Sequence, residues 1–418
     1  MKNILQVQEL VDILNNDKEF KIAARFWSGG LIMKIGKKIL SISIDDGVPS
    51  AIPPANSEGV LTLKGPMDIW EPLLSMIPPR IFNDLAPLRA LGMTVEGSRT
   101  TLAQYWHAIM RVIELMRPQD PDARTKVTES GEIPRFDTPV GRYIHLNLEG
   151  YDHRVYFEEA GNGIPLLLQH TAGCHSSQWR HLFEVPEITD RFRLIAYDLP
   201  FHGKSIPPVG KRWWTEEYRL TGEFTRSVPV SLAKAMNLEK PVFMGCSIGG
   251  ILALDLAYHY PNLFRAVIAI EGSLRIGSDD EEMLPFMWHP QVGNEFKASV
   301  MQGLMSPTSP EPFRKEITQA YASGWPPSFL GDLYYYMTEY DLTEKAEEID
   351  TGKVGVHILS GEYDWIATLE MGEHAHETIE GSTWSVLEGM GHFPMSEDPE
   401  SFLKYLMPVL DGIVKNGK

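Results

Sequence analysis

Ser247 stands in Gly245-Cys246-Ser247-Ile248-Gly249, a G-x-S-x-G pattern set between the apolar run PVFMGC and the helix-forming stretch GGILALDLAYHY. A side chain at 245 or 249 would collide with neighbouring backbone where a chain reverses from strand to helix, so the glycines leave the serine at the tip of a sharp turn. The helix that follows directs its amide dipoles toward any anion formed beside the hydroxyl. A serine hydroxyl is a weak nucleophile near neutral pH, and it needs a base and a carboxylate that orients the base. Both are expected later in the chain, acid before histidine. Asp364 follows VGVHILSG in the turn Gly361-Glu362-Tyr363-Asp364-Trp365, and His392 lies in STWSVLEGMGHFP, past a further strand. Glu362 sits too close to its strand end to be the better acid of that turn. Glu271, closing RAVIAIEG, is a second position from which a carboxylate could reach the base, and it is held in reserve.

These residues need a scaffold. The runs LLLQH, RLIAYD, PVFMGC, RAVIAIEG and VGVHILSG each end in a glycine or polar turn, and helical stretches separate several of them. That rhythm predicts a buried, mostly parallel sheet covered by helices. Upstream, RPQDPDARTKVTESGEIPRFDTP (117–139) lacks an apolar period and reads as a linker. It divides the chain into 1–135 and 136–418, as a length of 418 residues favours. Before the linker, KILSISIDDGV alternates Leu40, Ile42 and Ile44 with serines and then reaches Asp46-Gly47, a strand ending in a turn. VLTLKGP repeats the pattern, and Leu102, Tyr105, Trp106, Ile109, Ile113 and Met116 share one helical stripe, giving a small α+β domain.

With the order Ser247, Asp364, His392 in place, residues 136–418 resemble the α/β-hydrolase superfamily. DLPFHGKS, with Asp198, Pro200, His202, Gly203 and Ser205, is similar to the family's turn after its fourth strand, and GHFPMSEDPESF to its catalytic-histidine loop. The resemblance implies an α/β-hydrolase fold with a helical lid at about 272–350, between the sixth and seventh strands. It also implies an oxyanion hole built from the backbone N–H groups of Ile248 and, by position in His170-Thr171-Ala172-Gly173, Ala172. Thr171 stands where relatives usually carry glycine. Haloalkane dehalogenases and epoxide hydrolases resemble this scaffold but place aspartate at the turn, so Ser247 disfavours their chemistry. The activity implied first is hydrolysis of a hydrophobic or aromatic carboxylic ester through an acyl-enzyme. Cleavage of a carbon–carbon bond beside a ketone is the alternative. Within 272–350, Met283, Phe286, Met287, Trp288, Met301, Met305, Phe329 and Tyr334 to Met337 offer an adaptable apolar lining, although most such side chains serve only to hold a lid together.

Residues 15–115, through LKGPMDIWEPLL and TVEGSRTTLAQYWHAI, resemble sterol-carrier-protein-2-like domains, which carry an apolar tunnel. That resemblance implies a further reading, binding of an apolar ligand through the first domain. A packing or dimerising module with Trp27, Trp70 and Trp106 as plain core carries equal weight, so a homo-oligomer stays open.

The balance of the chain narrows its partners. A formal charge of −18 repels nucleic-acid phosphates and anionic membrane surfaces. A hydrophobic share of 43% and no apolar run long enough to span a bilayer point to a globular protein whose partner is a small hydrophobic carbonyl substrate. Cys174 and Cys246 cannot make a disulfide framework, and the amino-terminal stretch reads as an amphipathic helix without signal-peptide features, so a cytoplasmic location is expected. His374 and His376, two apart on a helix, do not share a face and read as surface histidines rather than metal ligands. No cofactor is implied, since the triad needs none.

Overall fold

The computed structural model describes residues 5–120, 136–277 and 282–416, which form two compact units. The cut between them is not a single point in the chain. Residues 5–120 are joined in the first unit by 282–308, and the second unit comprises 136–277 and 309–416. The expected boundary near residue 135 lies outside the described residues.

The first unit holds a five-stranded sheet of β1 (Gly29–Ile35), β2 (Lys38–Asp45), β3 (Val48–Ser50), β4 (Val60–Gly65) and β5 (Thr94–Glu96), in the order β3-β2-β1-β4-β5. Only the β1/β4 pair is parallel. The alternation in β2 is borne out, with Leu40, Ile42 and Ile44 buried, and Asp46 and Gly47 both take the positive φ that a tight hairpin demands. Trp27, Trp70 and Trp106 are all buried. The expected single helix is two, Arg99–Gln104 and Trp106–Met116. Tyr105 leaves helical geometry (φ −115°, ψ 19°) and stacks on Trp27 with ring centroids 4.8 Å apart.

The segment expected to begin the lid is a correction. Its part 282–308, with the helix Asn294–Gly303, packs in the first unit. Phe296 meets Trp106 edge-on at 6.0 Å, Asn83 donates to the Gly303 and Met305 carbonyls, and Met283, Met287, Met301 and Met305 are buried there.

The second unit carries an eight-stranded sheet of β6 (Val140–Leu148), β7 (Tyr151–Ala160), β8 (Ile164–Gln169), β9 (Phe192–Tyr197), β10 (Val242–Cys246), β11 (Ala266–Ile270), β12 (Gly355–Gly361) and β13 (Thr383–Leu387). The order is β13-β12-β11-β10-β8-β9-β7-β6, parallel throughout except at β7, which runs antiparallel to both neighbours. The expected α/β sheet is therefore present. Strands β10 and β11 are buried at every position, as a sheet covered on both faces requires, and each of the five apolar runs of the sequence forms a strand. The crossovers bring the loops after β8, β10, β11, β12 and β13 to the same sheet edge, at the carboxyl ends of the parallel strands. Two helices from the remainder of the expected lid, Glu311–Ser323 and Pro326–Tyr334, belong to this unit.

Candidate active site

Ser247 joins β10 to the helix Ile248–His259 and takes φ 58°, ψ −115°. Such a conformation costs about 1–3 kcal/mol for a non-glycine residue and persists only where its surroundings over-determine it. Here they do. The Ser247 N–H donates to the Ile270 carbonyl at 2.9 Å, and its own carbonyl accepts from Ile251 at 2.9 Å. A Cβ at Gly245 would lie 2.4 Å from the Gly249 backbone, and one at Gly249 would lie 2.8 Å from the Gln169 carbonyl oxygen. The glycines are thus needed for the reason the sequence gives.

His392 and Asp364 come together. His392 Nδ1 donates to Asp364 Oδ2 at 2.5 Å, and the other carboxylate oxygen accepts the Ile366 N–H at 2.8 Å. With its proton committed to Asp364, the ring leaves Nε2 as the basic nitrogen. Both residues are buried. The histidine loop is tied to the turn beside the serine, because the Cys246 thiol donates to the His392 carbonyl at 3.1 Å. Among the described residues no hydrogen bond joins the Ser247 hydroxyl to His392, and such bonds are often long without substrate.

Glu271 is placed differently. Its carboxyl accepts the Gly361 N–H at 2.8 and 3.0 Å rather than reaching the imidazole. Burial, reinforced by the neighbouring Asp364 carboxylate, raises its pKa well above the ordinary carboxylate value. Glu362 accepts the Gly389 N–H at 2.7 Å, and the buried Glu397 accepts that of Gly391, so two further carboxylates hold the histidine loop. Of the remaining histidines, His376 Nδ1 meets the Ser382 hydroxyl at 2.8 Å while His374 is exposed. Among the described residues no cluster of metal-ligating side chains occurs.

On the other side of Ser247 lies the loop after β8. The Thr171 N–H and hydroxyl both donate to Gln178 Oε1 at 3.0 Å, and the Gly173 N–H donates to Asp332 Oδ2 at 2.7 Å. The intervening Ala172 N–H has no acceptor among the described residues, nor has that of Ile248 at the first position of its helix. The threonine in place of glycine has a partner for its side chain: Thr171 Oγ1 also bonds the Tyr321 hydroxyl, from the helix Glu311–Ser323. The motif DLPFHGKS closes on itself, with Asp198 accepting from Ser176 and Lys204 backbone, both at 2.7 Å, and the Ser205 hydroxyl donating to the Asp198 carbonyl at 2.8 Å. Its role is to brace the loops around the site.

Sequence reasoning missed Asp332, Gln178 and Glu397. Asp332 did carry a signal, as a lone charge in the otherwise uncharged helix PPSFLGDLY. Gln178 and Glu397 carried none, since each acts on a backbone N–H that only the folded loop presents.

A sheet of this order, with a strained serine after its fifth strand and an Asp–His pair beyond its seventh and eighth, defines an α/β hydrolase. The family model of the alpha/beta hydrolase fold matches residues 164–399, more than half of the chain, and the chain belongs to that family. It is 24% identical over 247 residues to 3-oxoadipate enol-lactonase 2 of Acinetobacter baylyi, across 57% of this chain and 85% of the lactonase. To the 2-hydroxy-6-oxo-6-(2'-aminophenyl)hexa-2,4-dienoic acid hydrolase of Metapseudomonas resinovorans it is 22% identical over 286 residues, across 66% of this chain and 90% of that one. Among solved structures, a thermophilic esterase from Thermogutta terrifontis superposes with a TM-score of 0.57 at 22% identity, across 65% of this chain and 99% of the esterase. The family match begins at residue 164, after the described part 5–120 of the first unit.

Proposed function

We propose that the chain hydrolyses a hydrophobic or aromatic carboxylic ester through an acyl-enzyme on Ser247. The observation that supports this reading most is the pairing of His392 Nδ1 with Asp364 in a loop anchored to Cys246, next to the strained serine. In the first step His392 Nε2 takes the hydroxyl proton as Ser247 Oγ attacks the carbonyl carbon. The unpaired N–H groups of Ile248 and Ala172 receive the oxyanion, and the imidazolium, held by Asp364, returns the proton to the leaving alcohol. Water then repeats the sequence on the acyl-enzyme, His392 acting first as base and then as acid, and frees the acid product.

An enol-lactonase and an esterase among the similar proteins support attack on an ester-type carbonyl. The dienoic acid hydrolase keeps a dienol-ketone substrate as the alternative, in which the same serine attacks a ketone carbonyl. A panel of aryl and alkyl esters, lactones and matched dienol ketones, run with wild type and Ser247→Ala, separates the two. Ester turnover lost in the variant is the expected result. Full ester turnover by Ser247→Ala, or ketones cleaved faster than every ester, would overturn it.

A further inference from the structure

Asp332 is a fully buried carboxylate on the helix Pro326–Tyr334 that the Asp364–His392 pair does not use. Its Oδ2 accepts from the Gly173 N–H at 2.7 Å and from His202 Nε2 at 2.8 Å, and its Oδ1 accepts the Tyr218 hydroxyl at 3.1 Å. The donors around His202 fix its charge. Nδ1 faces the Pro200 carbonyl at 3.0 Å, which can only accept, so Nδ1 carries a proton. Nε2 faces an oxygen that also receives the Gly173 N–H, and an ionised carboxylate satisfies all three donors at once when His202 is an imidazolium. Burial opposes that charge, but the Asp332 carboxylate outweighs it and the His202 pKa is raised. His170, with its ring centroid 5.1 Å from that of His202, has the opposite pattern: Nδ1 donates to the Thr171 carbonyl at 2.8 Å and Nε2 accepts the Leu199 N–H at 3.1 Å, which makes it neutral. Burial, with the His202 charge beside it, depresses its pKa to about 3.

A buried ion pair is weak evidence of stabilisation, because desolvation offsets its attraction. What this pair does fix is a backbone position. Gly173 takes φ +65°, and a Cβ there would lie 2.9 Å from Phe329 Cβ, so the loop can approach the helix this closely only as glycine. The residue before it is Ala172, whose N–H has no acceptor among the described residues.

We propose that Asp332, paired with His202, is a positioning residue that aims the Ala172 N–H at the oxyanion by holding the neighbouring Gly173 N–H. The proposal rests on the serine-hydrolase reading for its catalytic consequence, but its structural content stands apart. Tyr321, through the Thr171 hydroxyl, is a second tether on the same loop from the adjacent helix.

The test uses full-length Asp332→Ala, Asp332→Asn and Asp332→Leu, with amide hydrogen exchange of peptides spanning 170–174 and 388–392, and kcat and KM on the best ester of the panel. Asp332→Ala is expected to speed exchange in 170–174 at least about tenfold, leave 388–392 unchanged, and lower kcat about a hundredfold at little changed KM. Asp332→Asn, whose amide oxygen still accepts from Gly173, is expected to restore slow exchange and most of kcat. Unchanged exchange in 170–174, or Asp332→Asn as impaired as Asp332→Ala, would overturn the proposal. If Asp332→Ala does not fold, Asp332→Leu, which is close in size and also offers the Gly173 N–H no acceptor, carries the test: faster exchange in 170–174 with lower kcat supports the proposal, and wild-type values for both overturn it. If wild type itself shows no Ser247-dependent turnover, the enzymatic reading has failed, and the exchange data alone decide whether Asp332 holds the loop.

Discussion

Two loops flank Ser247, and they are held by different parts of the molecule. The histidine loop is fixed by residues of the sheet edge and its own turns: Asp364 and Glu362 past β12, Cys246 at the end of β10, and Glu397 just beyond His392. The loop after β8 is fixed by Gln178 from the turn that follows it and by Tyr321 and Asp332 from the two helices before β12. The histidine loop therefore depends on the sheet. The loop after β8 depends on a segment inserted between two strands.

Substitutions on the two sides should break this comparison unequally. The largest effect is expected from Ser247→Ala or His392→Ala, each lowering kcat about a millionfold, toward the residual rate of the oxyanion donors alone. Asp364→Asn should lower kcat about 10⁴-fold with the fold intact, because an amide no longer holds the imidazole tautomer, as a pre-steady-state measurement of the acylation step would show. On the oxyanion side Thr171→Val should cost about tenfold or less in kcat, since Gln178 still holds the Thr171 N–H; a loss as large as that of Asp364→Asn would erase the distinction between the two loops.

The pH response sharpens it further. His202 is flanked by Asp332, by Asp198 of its own loop, by His170 and His175 of the loop after β8, and by Tyr218. Its pKa in the fold is raised above the ordinary histidine value, so the ion pair's contribution is full below about pH 6.5 and is lost as pH rises through the raised value. The melting temperature of wild type should accordingly fall as pH rises above about 6.5, and His202→Asn should lose that part of the dependence. Glu271→Gln is expected to have the smallest effect, within about threefold in kcat, because the amide oxygen still accepts the Gly361 N–H and Asp364 still holds the imidazole. Glu271 has its folded pKa raised, so wild type loses stability as pH climbs above the ordinary carboxylate value toward the raised one. Thermal melts of Glu271→Gln should be flatter over that range, and a steeper fall than wild type would mean that Glu271 is ionised in the fold.

Much of this was legible in the sequence because the signals were local. The elbow needs two glycines around a serine, the strands need continuous apolar runs, and the chain order of acid and histidine follows from the sheet, so Ser247, Asp364 and His392 could be placed without coordinates. Ala172 was reached by position only, and its unpaired N–H becomes visible once Gln178 and Asp332 are seen to occupy its neighbours. The extent of the lid was misread for a different reason. Asn294–Gly303 has the apolar and methionine content of a lid helix, but the same content suits the core of the first unit, and periodicity does not say which core a helix joins. Tyr105, which stacks on Trp27, interrupts a helix that its apolar stripe would continue.

The most direct measurement of the central claim is intact-protein mass after treatment with a fluorophosphonate, wild type beside Ser247→Ala. A single adduct on wild type and none on the variant is the expected result, with tryptic mapping placing it on Ser247. Equal labelling of both proteins, or no adduct on wild type at a concentration that saturates a control esterase, would contradict an activated Ser247.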